Sequence, residues 1–195
     1  MSAREAHIHR RTGETEVRVR LSLDGRGNAR VATGLGFLDH MLAQLARHGG
    51  FDLELSCSGD LEVDDHHTVE DCALALGQAL DAALGERRGI RRFGAAYAPL
   101  DEALARVVVD LSGRPWPEVD LGLSRERLGA VACENLDHFF RSLAATGRMA
   151  LHVDVLRGQN DHHRVEAAFK ALALALREAV ARTGAADVPS TKGVL

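Results

Sequence analysis

Asp65-His66-His67-Thr68-Val69-Glu70 is written a second time, 96 positions on, as Asp161-His162-His163-Arg164-Val165-Glu166. Upstream of each copy stands a shorter partner, Leu38-Asp39-His40 in the first half and Leu136-Asp137-His138 in the second, 98 positions apart. The step from His40 to His66 is 26 positions and that from His138 to His162 is 24. Two elements recurring almost in register mark an internally duplicated unit.

The hydrophobic pattern outward from these motifs repeats as well. In the first half, Val17, Val19, Leu21 and Leu23 alternate with Arg18, Arg20 and Ser22 as a half-buried strand, and Asp24-Gly25 turns it into a short return strand, 28–33. Phe37, Leu38, Met41, Leu42 and Leu45 follow helical spacing up to Gly49-Gly50, residues 51–57 alternate as a strand, and an Ala/Leu-rich helix runs over 65–84. The second half repeats the order: strands 103–111 and 116–121, helix 134–145, strand 149–156, and a long helix over 165–182. This predicts an α+β chain of internally duplicated β-β-α-β-α halves, residues 1–90 and 91–184, followed by a C-terminal loop, 185–195.

Composition limits the function classes. The 195 residues carry 46% hydrophobic and 27% charged side chains, enough for a sizeable core, with aromatics at only 4% so that Ala, Leu and Val fill it. A net charge of -4 without a basic run argues against a nucleic-acid or anionic-membrane partner. Cys57, Cys72 and Cys133 lack CxxC spacing, which argues against a disulfide scaffold or a thiolate zinc site. No secretory signal and no membrane-spanning apolar run is visible, so a cytoplasmic protein is expected.

The doubled motif points to metal. On a helix, residues three or four apart share a face. Either His66 and Glu70 or His67 and Glu70 could therefore clasp one ion, leaving the other imidazole to look toward a second; His162, His163 and Glu166 repeat the choice. With His40 and His138 the candidate ligands number eight, or two sets of four. Imidazole and carboxylate without thiolate suit manganese, iron, cobalt or zinc in an open site. Asp65 and Asp161 are candidates to orient the imidazoles. Arg91-Arg92 after Gly89, Arg114 in a turn, and Ser190-Thr191-Lys192-Gly193 in the terminal loop are groups of the kind that hold phosphate.

Taken with Arg11-Thr12-Gly13-Glu14-Thr15, Gly36-Phe37-Leu38-Asp39-His40, Asp110-Leu111-Ser112-Gly113-Arg114-Pro115, Glu134-Asn135-Leu136-Asp137-His138 and the ending Pro189-Ser190-Thr191-Lys192-Gly193, the doubled motif resembles the imidazoleglycerol-phosphate dehydratase family of histidine biosynthesis over essentially the whole chain. The resemblance implies a ribosomal-protein-S5-domain-2-like fold. It implies a lyase that dehydrates D-erythro-imidazole-glycerol phosphate to imidazole-acetol phosphate, through a metal-bound imidazolate and a diazafulvene-like intermediate. It implies two Mn2+ per active site on His40, His66, His67, Glu70, His138, His162, His163 and Glu166. Glu14 would be the catalytic acid/base, and Gln44, His48, Arg92, Arg114, Ser190 and Lys192 would touch substrate, the last four around its phosphate. It also implies a homo-oligomer, a 24-mer built from trimers with shared active sites. Two rival readings of the same ligands are a metal-storage protein, which leaves the phosphate-type residues without a role, and a dinuclear hydrolase, which usually leans on bridging carboxylates.

Overall fold

The computed structural model describes residues 3–195. Its first half runs β1 (Glu5–Arg11), β2 (Thr15–Ser22), β3 (Ala29–Ala32), α1 (Gly36–Gly49), β4 (Asp52–Gly59) and α2 (His66–Leu84). The second runs β5 (Phe93–Leu100), β6 (Ala103–Asp110), β7 (Trp116–Asp120), a small hairpin of β8 (Arg127–Leu128) and β9 (Val131–Ala132), then α3 (Cys133–Gly147), β10 (Ala150–Arg157) and α4 (Asp161–Ala179). The four-stranded sheets have matching orders, β1-β2-β4-β3 and β5-β6-β10-β7. In each, one strand pairing is parallel (β3 with β4, β7 with β10) and the others are antiparallel.

The α+β duplication expected from the sequence is present. Each half nevertheless opens with one strand more than its pattern announces, and the β8–β9 hairpin is a further addition to the second. β1 reads Glu-Ala-His-Ile-His-Arg-Arg and buries only Ala6 fully. β5 reads Phe-Gly-Ala-Ala-Tyr-Ala-Pro-Leu, in which glycine, alanine and proline mask the alternation. Both are edge strands, where one-sided pairing and solvent relax the demand for a period-two apolar face.

The helices fill the space between the two sheets. α2 lies on β1 and β2 and packs against α3, while α4 lies on β5 and β6 and packs against α1. Each helix pair therefore joins one half to the other. The inward faces supply Val17, Val19 and Leu21 from β2 and Ala105, Val107 and Val109 from β6, all at most 5% exposed. Phe139 and Phe140 of α3 and Phe169 of α4 are fully buried, with ring centroids 4.8 to 5.9 Å apart. Burial of each such ring is worth about 1.5–3 kcal/mol. Gly77 lets α2 approach α3 closely: a Cβ there would sit 2.7 Å from the Leu143 carbonyl oxygen and 2.8 Å from the Gly147 nitrogen.

At the far end of that pair, buried Arg87 donates to the Gly147 and Arg148 carbonyls and pairs with Asp81, satisfying orphan carbonyls at the end of α3. The C-terminal segment folds back along the same side. The Gly89 nitrogen donates to Asp187 O, and the Gly113 backbone lies beside the Leu195 carboxyl carbon. Among the described residues, no helix is long and apolar enough to cross a membrane.

Candidate metal centre

The packing of α1 on α4 and of α2 on α3 brings ligands together across the duplication. His40, in the first turns of α1, meets His162 and Glu166 of α4; His138 of α3 meets His66 and Glu70 of α2. Glu166 Oε2 lies 3.2 Å from His40 Nε2 and 3.1 Å from His162 Nε2, and Glu70 Oε1 lies 2.9 Å from His138 Nε2. Within each group the three ligand atoms lie within 4.8 Å of one another. Ligands bonded at about 2.1 Å to one ion stand about 3.0–4.2 Å apart, depending on the angle between them, so small side-chain shifts close each group on a cation. Two imidazoles and a carboxylate per group fit a divalent transition metal with positions left over.

Of the sequence alternatives, the structure selects His66 and His162 as the imidazoles that join the carboxylates. His67 and His163 turn away, each held at Nδ1 by a carboxylate. Asp60 lies 3.0 Å from His67 Nδ1, and Glu102 lies 2.8 Å from His163 Nδ1. The Asp60 hydrogen bond raises the pKa of His67, and the Glu102 hydrogen bond raises that of His163. Glu102 is itself pushed down to about 2, first by His163 and then by the Asn160 and Gln159 backbone N–H groups it accepts. With Nδ1 committed, each ring presents Nε2 outward.

His66 Nδ1 lies 2.9 Å from Asn135 Oδ1. The amide orientation is set by its other end, because Asn135 Nδ2 donates to Asp65 Oδ2 at 2.9 Å. Asn135 is 4% exposed and Asp65 3%, and Asp65 also accepts from Ala132 N at 2.8 Å and pairs with Arg127. Asp65 thus acts on His66 through Asn135. Among the described residues Asp161 meets no imidazole; it accepts from Ser124 N, Ser124 Oγ and Arg125 N.

The remaining candidates fall into three places. Glu14, in the β1–β2 turn and half exposed, has Oε1 3.6 Å from His67 Nε2. Gln44 and His48 follow His40 along one face of α1, and His48 Nε2 lies 2.8 Å from Gln44 Oε1. His48 is depressed by burial first, then by the Lys170 charge, against the opposing pull of Glu166, so this face looks onto the His40 group. Lys170 reaches Glu166 at 2.7 Å. Burial pushes the Glu166 carboxyl up, but hydrogen bonds from Lys170 and His40, the Lys170 charge and a further hydrogen bond from His162 outweigh it and leave it below its ordinary value.

Arg92 forks onto Asp110 at 2.7 and 3.0 Å and donates to the Pro189 carbonyl, next to Ser190. The Ser190 hydroxyl in turn accepts from Lys192 N. Arg92 N also donates to Ala179 O at the last residue of α4, whereas His162 is in its first turn. The separation along α4 is about 25 Å at 1.5 Å per residue. The Arg114 turn approaches Arg148, the C-cap of α3, at the Gly113 backbone. The phosphate-type residues and the metal-type residues therefore lie at opposite ends of the helices within one copy.

Lys170, Asn135, Asp60 and Glu102 were not assigned roles from the sequence. Lys170 had a readable signal, since it follows Glu166 by four positions on a helix. The other three approach their imidazoles only through the fold.

Comparison with known proteins gives one picture. The family model for imidazoleglycerol-phosphate dehydratase matches residues 33–176. A protein of that name from Saccharomyces cerevisiae is 51% identical over 219 aligned positions, covering 100% of both chains. Another from Phytophthora nicotianae is 60% identical over 98% of this chain, which spans 42% of that longer relative. The crystal structure of the Staphylococcus aureus enzyme of the same name superposes with a TM-score of 0.83 at 37% identity, over 92% of this chain and 99% of that one.

Proposed function

This chain belongs to the imidazoleglycerol-phosphate dehydratase family, the lyases that carry out the dehydration step of histidine biosynthesis, and from that premise we propose how its residues divide the work. The observation that carries the reading is the pair of three-ligand groups, each assembled from both halves of the duplication. Manganese is the cofactor proposed, two ions per active site, held by the His66/Glu70/His138 and His40/His162/Glu166 groups with His67 and His163 as fourth ligands. When bound, such ions would favour the imidazolate form of the substrate ring and so would supply the electron density that loss of the neighbouring hydroxyl needs.

The chain's own residues do the rest. Glu14 removes the proton from the neighbouring substrate carbon; its carboxylate stands beside His67 at the edge of the ligand set. Gln44 and His48 bound the site on the α1 side. Arg92, Arg114, Ser190 and Lys192 hold the phosphate and so fix the diol over the metals, remote binding serving orientation.

A substrate of this size cannot bridge the roughly 25 Å between the two ends of α4. We therefore place the phosphate residues of one copy at the metal ligands of another, in a homo-oligomer with shared sites, a 24-mer built from trimers. Each site joins the His66/Glu70/His138 group of one copy to the His40/His162/Glu166 group of the next. His67 of the former and His163 of the latter then cross over to complete the opposite ion. The outer sheet faces support association. One exposes Phe93, Tyr97 and Trp116, a set of large apolar side chains unusual for a solvent-facing sheet.

The test is turnover of imidazoleglycerol phosphate by protein stripped with chelator and re-supplied with manganese. Activity that vanishes and returns supports the reading; metal uptake without product would move storage or hydrolysis ahead of it. In Glu14→Gln, metal and substrate binding should persist while turnover is lost.

A further inference from the structure

The duplication makes the two metal groups look equivalent, and their surroundings are not. His66 is gripped at Nδ1 by Asn135, which Asp65 holds in turn, so its Nε2 lone pair already faces Glu70 and His138. The position corresponding to Asn135 in the first half, 98 residues earlier, is Phe37. The Phe37 ring meets His162 edge-on at 5.2 Å, and a phenyl edge neither accepts a hydrogen bond from Nδ1 nor selects a tautomer. The carboxylates differ as well. Glu166 is 7% exposed and its Oε1 meets the Lys170 ammonium at 2.7 Å while Oε2 faces His40 and His162, whereas the residue corresponding to Lys170 after Glu70 is Leu74, and among the described residues no Lys or Arg pairs with Glu70. An incoming cation thus meets a pre-oriented imidazole and an unshared carboxylate at one group. At the other it meets a looser imidazole and a lysine that competes for the same carboxylate.

We propose that the two sites are unequal in affinity, that the His66/Glu70/His138 group binds its metal first, and that Asn135 is the positioning residue responsible, with Lys170 restraining the other site. His67 and His163 do not break the equivalence, because each is held at Nδ1 by a carboxylate of its own. The inference rests on the reading of these groups as metal sites.

The test titrates chelator-stripped protein with Mn2+ and follows free Mn2+ by its electron paramagnetic resonance signal. The wild-type protein should take up two ions per chain in two classes separated by about tenfold or more. Asn135→Ala should weaken the tighter class by about 10- to 100-fold and leave the weaker class in place, the usual effect of losing the partner of a metal-bound imidazole. Lys170→Met should tighten only the weaker class. A merely structural role for Asn135 would lower the melting temperature in chelator without changing the ratio of the two constants. Two equivalent sites in the wild type, or an unchanged ratio in Asn135→Ala, overturns the proposal; if Asn135→Ala fails to fold, the wild-type titration and Lys170→Met still decide it. Wild-type protein that binds no manganese would instead overturn the metal reading itself, a separate failure.

Discussion

Replacing Lys170 by methionine should destabilise the metal-free protein and have little effect once metal is bound. The Glu166 side chain is 9% exposed and that of Lys170 19%, and their charged atoms are 2.7 Å apart. At an effective dielectric near 20 the gross attraction is about 6 kcal/mol, most of it offset by desolvation of the two ions. Removing the ammonium alone leaves a carboxylate buried without its cation, which costs about 3–5 kcal/mol in a fully enclosed site. Here a fifth of the lysine faces solvent, and His40 and His162 still hydrogen-bond to the carboxylate, which brings the expected loss to about 2 kcal/mol. For 195 residues that is a fall in melting temperature of about 4–8 °C. The assay is scanning calorimetry of wild type and variant in chelator and again in saturating manganese, where the bound ion replaces the lysine as the partner of Glu166. An equal drop under both conditions would refute the reasoning, because it would mean that lysine and metal do not share one carboxylate.

Three further outcomes are expected. Arg92→Lys keeps the charge but loses the fork on Asp110 and the reach to Pro189, so KM for the phosphorylated substrate should rise about tenfold or more with a smaller change in kcat; steady-state kinetics decides it. Asp24 is held at about 2, chiefly by hydrogen bonds from Arg4 and Arg182 against the opposing effect of burial. Its folded pKa is depressed, so its contribution is present above the ordinary value of 3.8 and is lost as pH falls from there toward 2. Asp24→Asn should therefore flatten that part of the stability curve, read from denaturant midpoints between pH 5 and 2. Gly77→Ala forces a methyl against the α3 backbone; it should cost about 1–3 kcal/mol and weaken metal binding at the His66 group, which α2 and α3 share, more than at the other.

The sequence revealed the duplication and the clustering of His and Glu on one helical face because both are local: HHxVE fixes a helical face, and two copies in register fix a repeated unit. It left open which imidazole of each pair joins the carboxylate, and the geometry resolved that in favour of His66 and His162. The crossing of His40 to α4 and of His138 to α2 was out of reach, since spacing along the chain says nothing about which helices of two similar halves pack together. β1 and β5 were missed for a different reason, because an edge strand such as Glu5–Arg11 needs little apolar alternation. Asn135 and Phe37 look like incidental differences between repeats until the fold sets each against its imidazole.

The sharing of sites between copies is tested most directly by complementation. His67→Ala removes the fourth ligand of the His40/His162/Glu166 ion and His163→Ala that of the His66/Glu70/His138 ion, and each protein alone should be nearly inactive. If every site joins the His66/Glu70/His138 group and His67 of one copy to the His40/His162/Glu166 group and His163 of another, stripping metal from an equal mixture and reassembling it with manganese restores intact sites at about a quarter of the interfaces. Activity approaching about a quarter of wild type is the predicted result. A mixture as inactive as its components, with both variants folded and co-assembled, would contradict the account and place each site within a single chain.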